Sequence, residues 1–173
     1  MVDLKFFDIP ETVQRAVHQL KNRGITFATV HGNDPILQAA VAEKSDLKIL
    51  AVTALTSFGK EDMLEMGFTG TIDDLVLLRA KRALALGCDG VIASGLEAKK
   101  IRENLGDRFL IVTPGIRPGA NTTIVEDDQK RIITAQNAIR NGADYVVVGR
   151  PISTANNPIE VITSMQQEIC KAL

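Results

Sequence analysis

Six runs of mostly apolar residues, rich in Val, Ile and Leu, recur along the chain at positions 2–7, 25–30, 47–55, 88–94, 109–115 and 145–150. Apolar positions follow one another in most of these runs without alternating with polar ones. That pattern marks parallel strands covered on both faces. Between the runs the spacing becomes helical. Val13, Ala16, Val17 and Leu20 fall at i, i+3, i+4 and i+7, and Gly24 stops that helix. Thr71 and Asp74 form a capping-box pattern ahead of a long helix through Leu86, closed by Gly87. Ser94 and Glu97 repeat the device, and Ile132, Ala135 and Ile139 line one face of the next helix, with Gly142 after it. Asn157 and Pro158 open the last helix, whose stripe is Ile159, Ile162, Met165 and Ile169. The expectation is a single α/β domain over residues 1–173, built of strand–helix units around a parallel sheet.

Composition narrows the possible chemistry. A chain of 173 residues with 45% apolar content can bury a core, roughly 70% of its unfolded surface. Aromatics are 4%, with no Trp, which disfavours base stacking on single-stranded nucleic acid. Lys plus Arg number 20 against 21 Asp plus Glu, so no basic field points to nucleic acid or a membrane surface. Asp3, Lys5, Asp8, Glu11 and Arg15 leave no room for a signal-peptide core. Apolar stretches such as 49–55 are too short to span a bilayer. Cys88 and Cys170 lack any CxxC or zinc spacing and are expected as two small buried thiols, in a cytoplasmic protein.

Ligands of such folds gather where strands end. Asp3 and Lys5, two apart on a strand, point to one face, and are either a surface ion pair or a functional one. Asp8 has the character of a helix N-cap before Pro10. Arg117 follows the fifth run and Gly149 with Arg150 closes the sixth. Gly permits close backbone approach and Arg offers a planar fork, so these are candidates for an anion, or a solvated turn. Gln129 could reach the same anion or be an ordinary helix residue. His18 is expected on an exposed helix face, whereas His31 could serve a site or cap a loop. The Pro- and Gly-rich stretch 113–121 is a candidate lid. No GxGxxG follows a strand, and neither GxxxxGK[ST] nor GxSxG is present.

The segment Asp3-Leu4-Lys5-Phe6-Phe7-Asp8-Ile9-Pro10-Glu11-Thr12 resembles the DxKxxDIPxT signature of the orotidine 5'-phosphate decarboxylase family. Four further blocks agree in order and spacing: 52–57, 112–118, 127–131 and 148–152. The resemblance implies a TIM barrel and a homodimer with shared active sites. It also implies conversion of orotidine 5'-monophosphate to UMP and CO2 without metal or organic cofactor. By the same resemblance, Lys5 protonates the carbon that CO2 leaves. Asp3 crowds the substrate carboxylate, and Asp8, Ile9 and Thr12 reach the neighbouring subunit's site. Thr56 contacts the pyrimidine, and Arg117, Gln129, Gly149 and Arg150 grip the phosphate.

Phe7 and Glu11 stand where many members have His and Asn, and His31-Gly32-Asn33-Asp34 departs from the usual HxxGG loop. The family's ribose-binding Asp and the Lys completing a Lys-Asp-Lys-Asp network belong to two strands earlier than any here. The expectation is therefore an incomplete TIM (β/α)8 barrel of about six strand–helix units, the first two absent. With it go weak or no turnover by the chain alone, and self-association through the open sheet edges. The rival readings are a sugar-phosphate decarboxylase or aldolase on the same barrel, and a non-catalytic binder of nucleotide phosphate.

Overall fold

The computed structural model describes residues 1–119 and 131–173. The chain runs β1 (Val2–Phe6), α1 (Pro10–His18), β2 (Phe27–His31), α2 (Asp34–Glu43), β3 (Lys48–Val52), α3 (Lys60–Glu65) and α4 (Ile72–Ala85). It continues β4 (Gly90–Ile92), α5 (Ala98–Leu105), β5 (Leu110–Thr113), α6 (Ala135–Arg140), β6 (Tyr145–Val146), α7 (Arg150–Ser153) and α8 (Pro158–Cys170). The six strands form one sheet in sequence order, every neighbouring pair parallel. A doubly wound sheet reverses its strand order; this one never does, which is the winding of a barrel. Among the described residues β1 and β6 each pair on one side only, which leaves a partial barrel, as expected.

The near-continuous apolar runs have a direct cause. Along β3, Ile49 and Ala51 pack with Val17, Leu37 and Ala80 in the layer between sheet and helices. Leu50 and Val52 turn the other way, joining Ile92 and Val112 in a second cluster on the inner face. Both faces are covered, so neither set of positions is polar.

The expected caps form where local chemistry is unopposed. Thr71 Oγ1 accepts the Asp74 N–H at 3.2 Å, and the Asp74 carboxylate accepts the Thr71 N–H at 3.3 Å. The Asn157 side chain accepts the Glu160 N–H at 3.3 Å and Pro158 opens α8. Four expectations need correction. Glu97 is no capping-box residue, because its carboxylate turns inward to Arg131. Ile132 precedes α6 and is exposed, since Thr134 caps that helix. Ile159 is exposed too, while the rest of the stripe is kept: Met165 is buried and Ile162 and Ile169 are half-buried. Cys170 is exposed near the end of α8; only Cys88 is a buried thiol, and burial pushes it up to about 12. The separate helix α3 was not anticipated.

At the end of the sheet where the strands begin, one device appears twice. Gly87 and Gly142 take positive φ, at 89° and 100°, and two residues later comes Asp89 or Asp144. Asp89 Oδ2 accepts the Ile49 N–H at 2.9 Å while the Asp89 N–H donates to the Ile49 carbonyl at 3.0 Å. Asp144 treats Ile111 in the same way, at 2.7 and 2.9 Å. A cation completes each clasp. Lys44 Nζ donates to the Gly87 carbonyl and to Asp89, at 2.9 and 3.0 Å. Arg102 donates to the Gly142 carbonyl and to Asp144, at 2.9 and 2.5 Å. No helix among the described residues is long and apolar enough to cross a membrane.

Asp144→Ala strips the Ile111 N–H of its side-chain acceptor and Arg102 of its partner. The expected loss is about 1–3 kcal/mol in urea unfolding. A second test concerns the clasp of α1 and α2. Lys21, His18 and Gln14 hydrogen-bond the Glu43 carboxylate, at 2.5, 2.6 and 3.4 Å. Lys21 foremost, then His18 and Gln14, bring its pKa from 4.5 to about 2. A lowered carboxyl contributes stability that is present above 4.5 and lost as pH falls toward 2. Glu43→Gln should lower the melting temperature at neutral pH and flatten its fall across that acid window; an unchanged slope would contradict the assignment.

Candidate active site

The site begins with an irregularity in β1. Val2 pairs with Ala28 and Phe6 with Val30, so four steps along β1 match two along β2. Lys5 takes up the excess at φ 50°, in the left-handed region. A non-glycine residue there costs of order 1–3 kcal/mol, and such strain persists only where neighbours enforce it. Thr29 of β2, fully buried, is the enforcing neighbour. Its Oγ1 accepts the Lys5 N–H at 2.9 Å and donates to Asp3 Oδ1 at 2.8 Å. Lys5 Nζ in turn donates to Asp3 Oδ2 at 2.7 Å. Asp3 and Lys5 thus meet, as their spacing suggested, but through a bulge rather than regular alternation. Their side chains are about one-third exposed, at 32% and 34%.

Lys5 opens onto a cavity of about 240 Å³ at the ends of the strands. Val52, Ile92 and Val147 form its apolar floor; Thr56 and Ser57 stand after β3, Gly115 and Arg117 after β5, and Gly149 and Arg150 after β6. Lys5 and Arg150 come from the two opposite edges of the sheet. None of the described lining residues is acidic, while three are cationic, so the cavity suits an anion. An added Cβ at Gly149 would meet nothing within 4 Å, so the protein's own packing does not demand that glycine. A larger depression, about 500 Å³, lies at the other end of the sheet, but its Asp89 and Asp144 are already engaged in the clasps.

The other expected site residues lie apart from this cavity. Asp8, Ile9 and Thr12 are exposed on and before α1. Asp8 is not the N-cap: Ile9 holds that place, and Asp8 Oδ1 accepts the Ile9 N–H at 2.7 Å. Gln129, with Asp127 and Asp128, and part of the stretch taken as a lid, lie outside the described residues. His18 is exposed and bonded to Glu43. His31 lies against the Phe7 ring, 4.5 Å between centroids, and is not among the cavity's lining residues. Burial, then the Arg79 charge, pushes its pKa down. Among the described residues no three His, Cys, Asp or Glu side chains cluster closely enough to hold a metal ion.

Two features escaped the sequence reading. Thr29 is one; its signal was a lone hydroxyl in an apolar strand, placed opposite Lys5. The other is a buried ion pair behind the cavity wall, Arg131 Nη1 to Glu97 Oε1 at 2.5 Å. Burial raises the Glu97 carboxyl, against the opposing pull of Arg131.

Comparison with known proteins places this geometry in context. The family described as Orotidine 5'-phosphate decarboxylase / HUMPS matches residues 1–165. A Methylococcus capsulatus protein named orotidine 5'-phosphate decarboxylase is 55% identical over 97% of this chain and 69% of its own length. One of that name from Nitrobacter winogradskyi is 49% identical over 99% of this chain and 71% of its own. The crystal structure of orotidine 5'-phosphate decarboxylase from Lactobacillus acidophilus superposes with a TM-score of 0.78 at 38% identity, covering 96% of this chain and 73% of that one.

Thr29→Val keeps the shape of the side chain but leaves the Lys5 N–H and the Asp3 carboxylate without the hydroxyl. Denaturant unfolding should show a loss of about 1 kcal/mol, most of it recovered in Thr29→Ser. Equal stability of the Val and Ser variants would exclude the bridging role.

Proposed function

The chain belongs to the orotidine 5'-phosphate decarboxylase / HUMPS family, and on that premise we propose that its cavity binds orotidine 5'-monophosphate and converts it to UMP and CO2. The observation that carries this reading is one cavity with Lys5, held by Asp3, on one edge strand and Arg117 with Arg150 beyond the last strands. A dianionic phosphate suits the two guanidinium forks. The pyrimidine then lies over the apolar floor near Thr56, with its carboxylate toward Asp3 and Lys5.

The chemistry follows from charge. When the carbon–carboxylate bond breaks, its electron pair stays on a ring carbon that cannot delocalise it. A fixed cation stabilises that pair, and the same Lys5 ammonium donates the proton that replaces CO2. Lys5 is then reprotonated from water. Asp3 fixes the ammonium in place and repels the substrate carboxylate, an effect that disappears as CO2 departs. Phosphate binding, remote from the reacting carbon, supplies the energy that holds the ring against this repulsion. Gln129 and Gly149 join the phosphate grip in this reading. Asp8, Ile9 and Thr12, exposed and outside the cavity, suit contact with the site of a second copy, which makes the working unit a homodimer in the cytoplasm.

The Lys5 and Asp3 side chains are about one-third exposed, and water there weakens the electrostatic effects of the site. Turnover by this chain should therefore be slow, followed as loss of orotidine 5'-monophosphate absorbance. Lys5→Ala should reduce it by about 10²–10⁴-fold while sparing UMP binding in calorimetry. UMP binding with no turnover would favour a non-catalytic binder. Turnover of a sugar phosphate in place of the nucleotide would favour the aldolase or decarboxylase rival.

A further inference from the structure

Arg131 lies behind the cavity rather than on its wall, only 8% exposed. Its guanidinium donates to three acceptors from two elements: Glu97 Oε1 at 2.5 Å, and the carbonyls of Leu55 and Ala54 at 2.6 and 3.3 Å. Those carbonyls immediately precede Thr56. The backbone beside Arg131 ties down another wall. The Ile133 N–H donates to the Gly115 carbonyl at 3.2 Å, and the Arg117 N–H donates to the Ile133 carbonyl at 2.9 Å. Gly115 takes φ +75°, and a Cβ there would stand 2.8 Å from the Arg131 carbonyl, so Arg131 can lie here only against a glycine.

A buried ion pair is a poor way to gain stability, because desolvation offsets its Coulombic attraction. This one also leaves Glu97 Oε2 and Arg131 Nε without hydrogen-bond partners among the described residues. What it does achieve is geometric. Arg131, through its side chain, and Ile133 two residues on, through its backbone, join the stretch ahead of Thr56 to the stretch carrying Arg117, and the rigid guanidinium fork suits three fixed acceptors as an ammonium would not.

We propose that Arg131 is a positioning residue, which sets the separation between the Thr56 and Arg117 walls and so the pyrimidine-to-phosphate span the cavity accepts. This rests on the nucleotide reading above. Glu97 balances the charge that makes the device tolerable in the interior.

Calorimetry and ligand-detected NMR with UMP, uridine and ribose 5-phosphate test it on the whole chain. Arg131→Met should weaken UMP binding about tenfold. Uridine and ribose 5-phosphate, each spanning only part of the cavity, should change by no more than about twofold. Arg131→Lys keeps a charge for Glu97 and should show the same split to a smaller degree, which carries the test if the Met variant does not fold. Asp144→Ala, destabilised at the far end of the sheet, should bind UMP as the wild type does. UMP and its fragments weakened alike, or UMP binding unchanged in the Arg131 variants, would overturn the proposal while leaving the nucleotide reading intact. A wild-type chain that binds no UMP would overturn both.

Discussion

Everything in this molecule depends on a sheet wound in one direction. With each parallel strand laid beside its predecessor, right-handed crossovers place the helices on one face. All strand ends then reach one rim. β1 and β6 are not hydrogen-bonded to each other, yet the sheet's curvature lets Lys5 and Arg150 border a single cavity. The apolar inner face of Leu50, Val52, Ile92 and Val112 follows from the same winding. It packs the interior below the rim and provides the apolar floor of the cavity.

The two ends of the sheet manage free energy differently. Where strands begin, polar groups are matched: Asp89 and Asp144 meet backbone N–H groups, and Lys44 and Arg102 meet the carboxylates. Where strands end, a buried ion pair keeps unmatched atoms and Lys5 takes a left-handed backbone within a strand; the left-handed Asn22 and Ser45 lie instead in the turns before β2 and β3. Conformational strain of this kind survives because the surrounding packing determines it. Barrel enzymes separate stability and chemistry along the same axis.

The sequence made the strands legible because their apolar runs obey one rule, burial on both faces, with no competing demand. The capping of α4 and α8 was legible because Thr71 with Asp74, and Asn157 with Pro158, act within a few residues of themselves. Local patterns mislead where a distant partner prevails or where the helix starts at a neighbouring residue. Glu97 has the spacing of a cap, but Arg131, 34 positions away, takes its carboxylate. Asp8 has the composition of an N-cap, but the helix starts one residue too late for it. The cationic members of the site, Lys5, Arg117 and Arg150, were accessible from strand ends and from the family resemblance. Thr29 was not, because its importance comes from the bulge in a neighbouring strand, which no periodicity announces.

The paired Gly-x-Asp clasps have a consequence for how such a chain can change. They fix the register of β3 with β4 and of β5 with β6 from below, independently of any loop at the rim. Insertions, deletions or exchanges after Val52, Thr113 or Val146 therefore leave the strands aligned. Substrate preference is then free to drift over evolutionary time, or to be redesigned by loop grafting, without the scaffold being relearned.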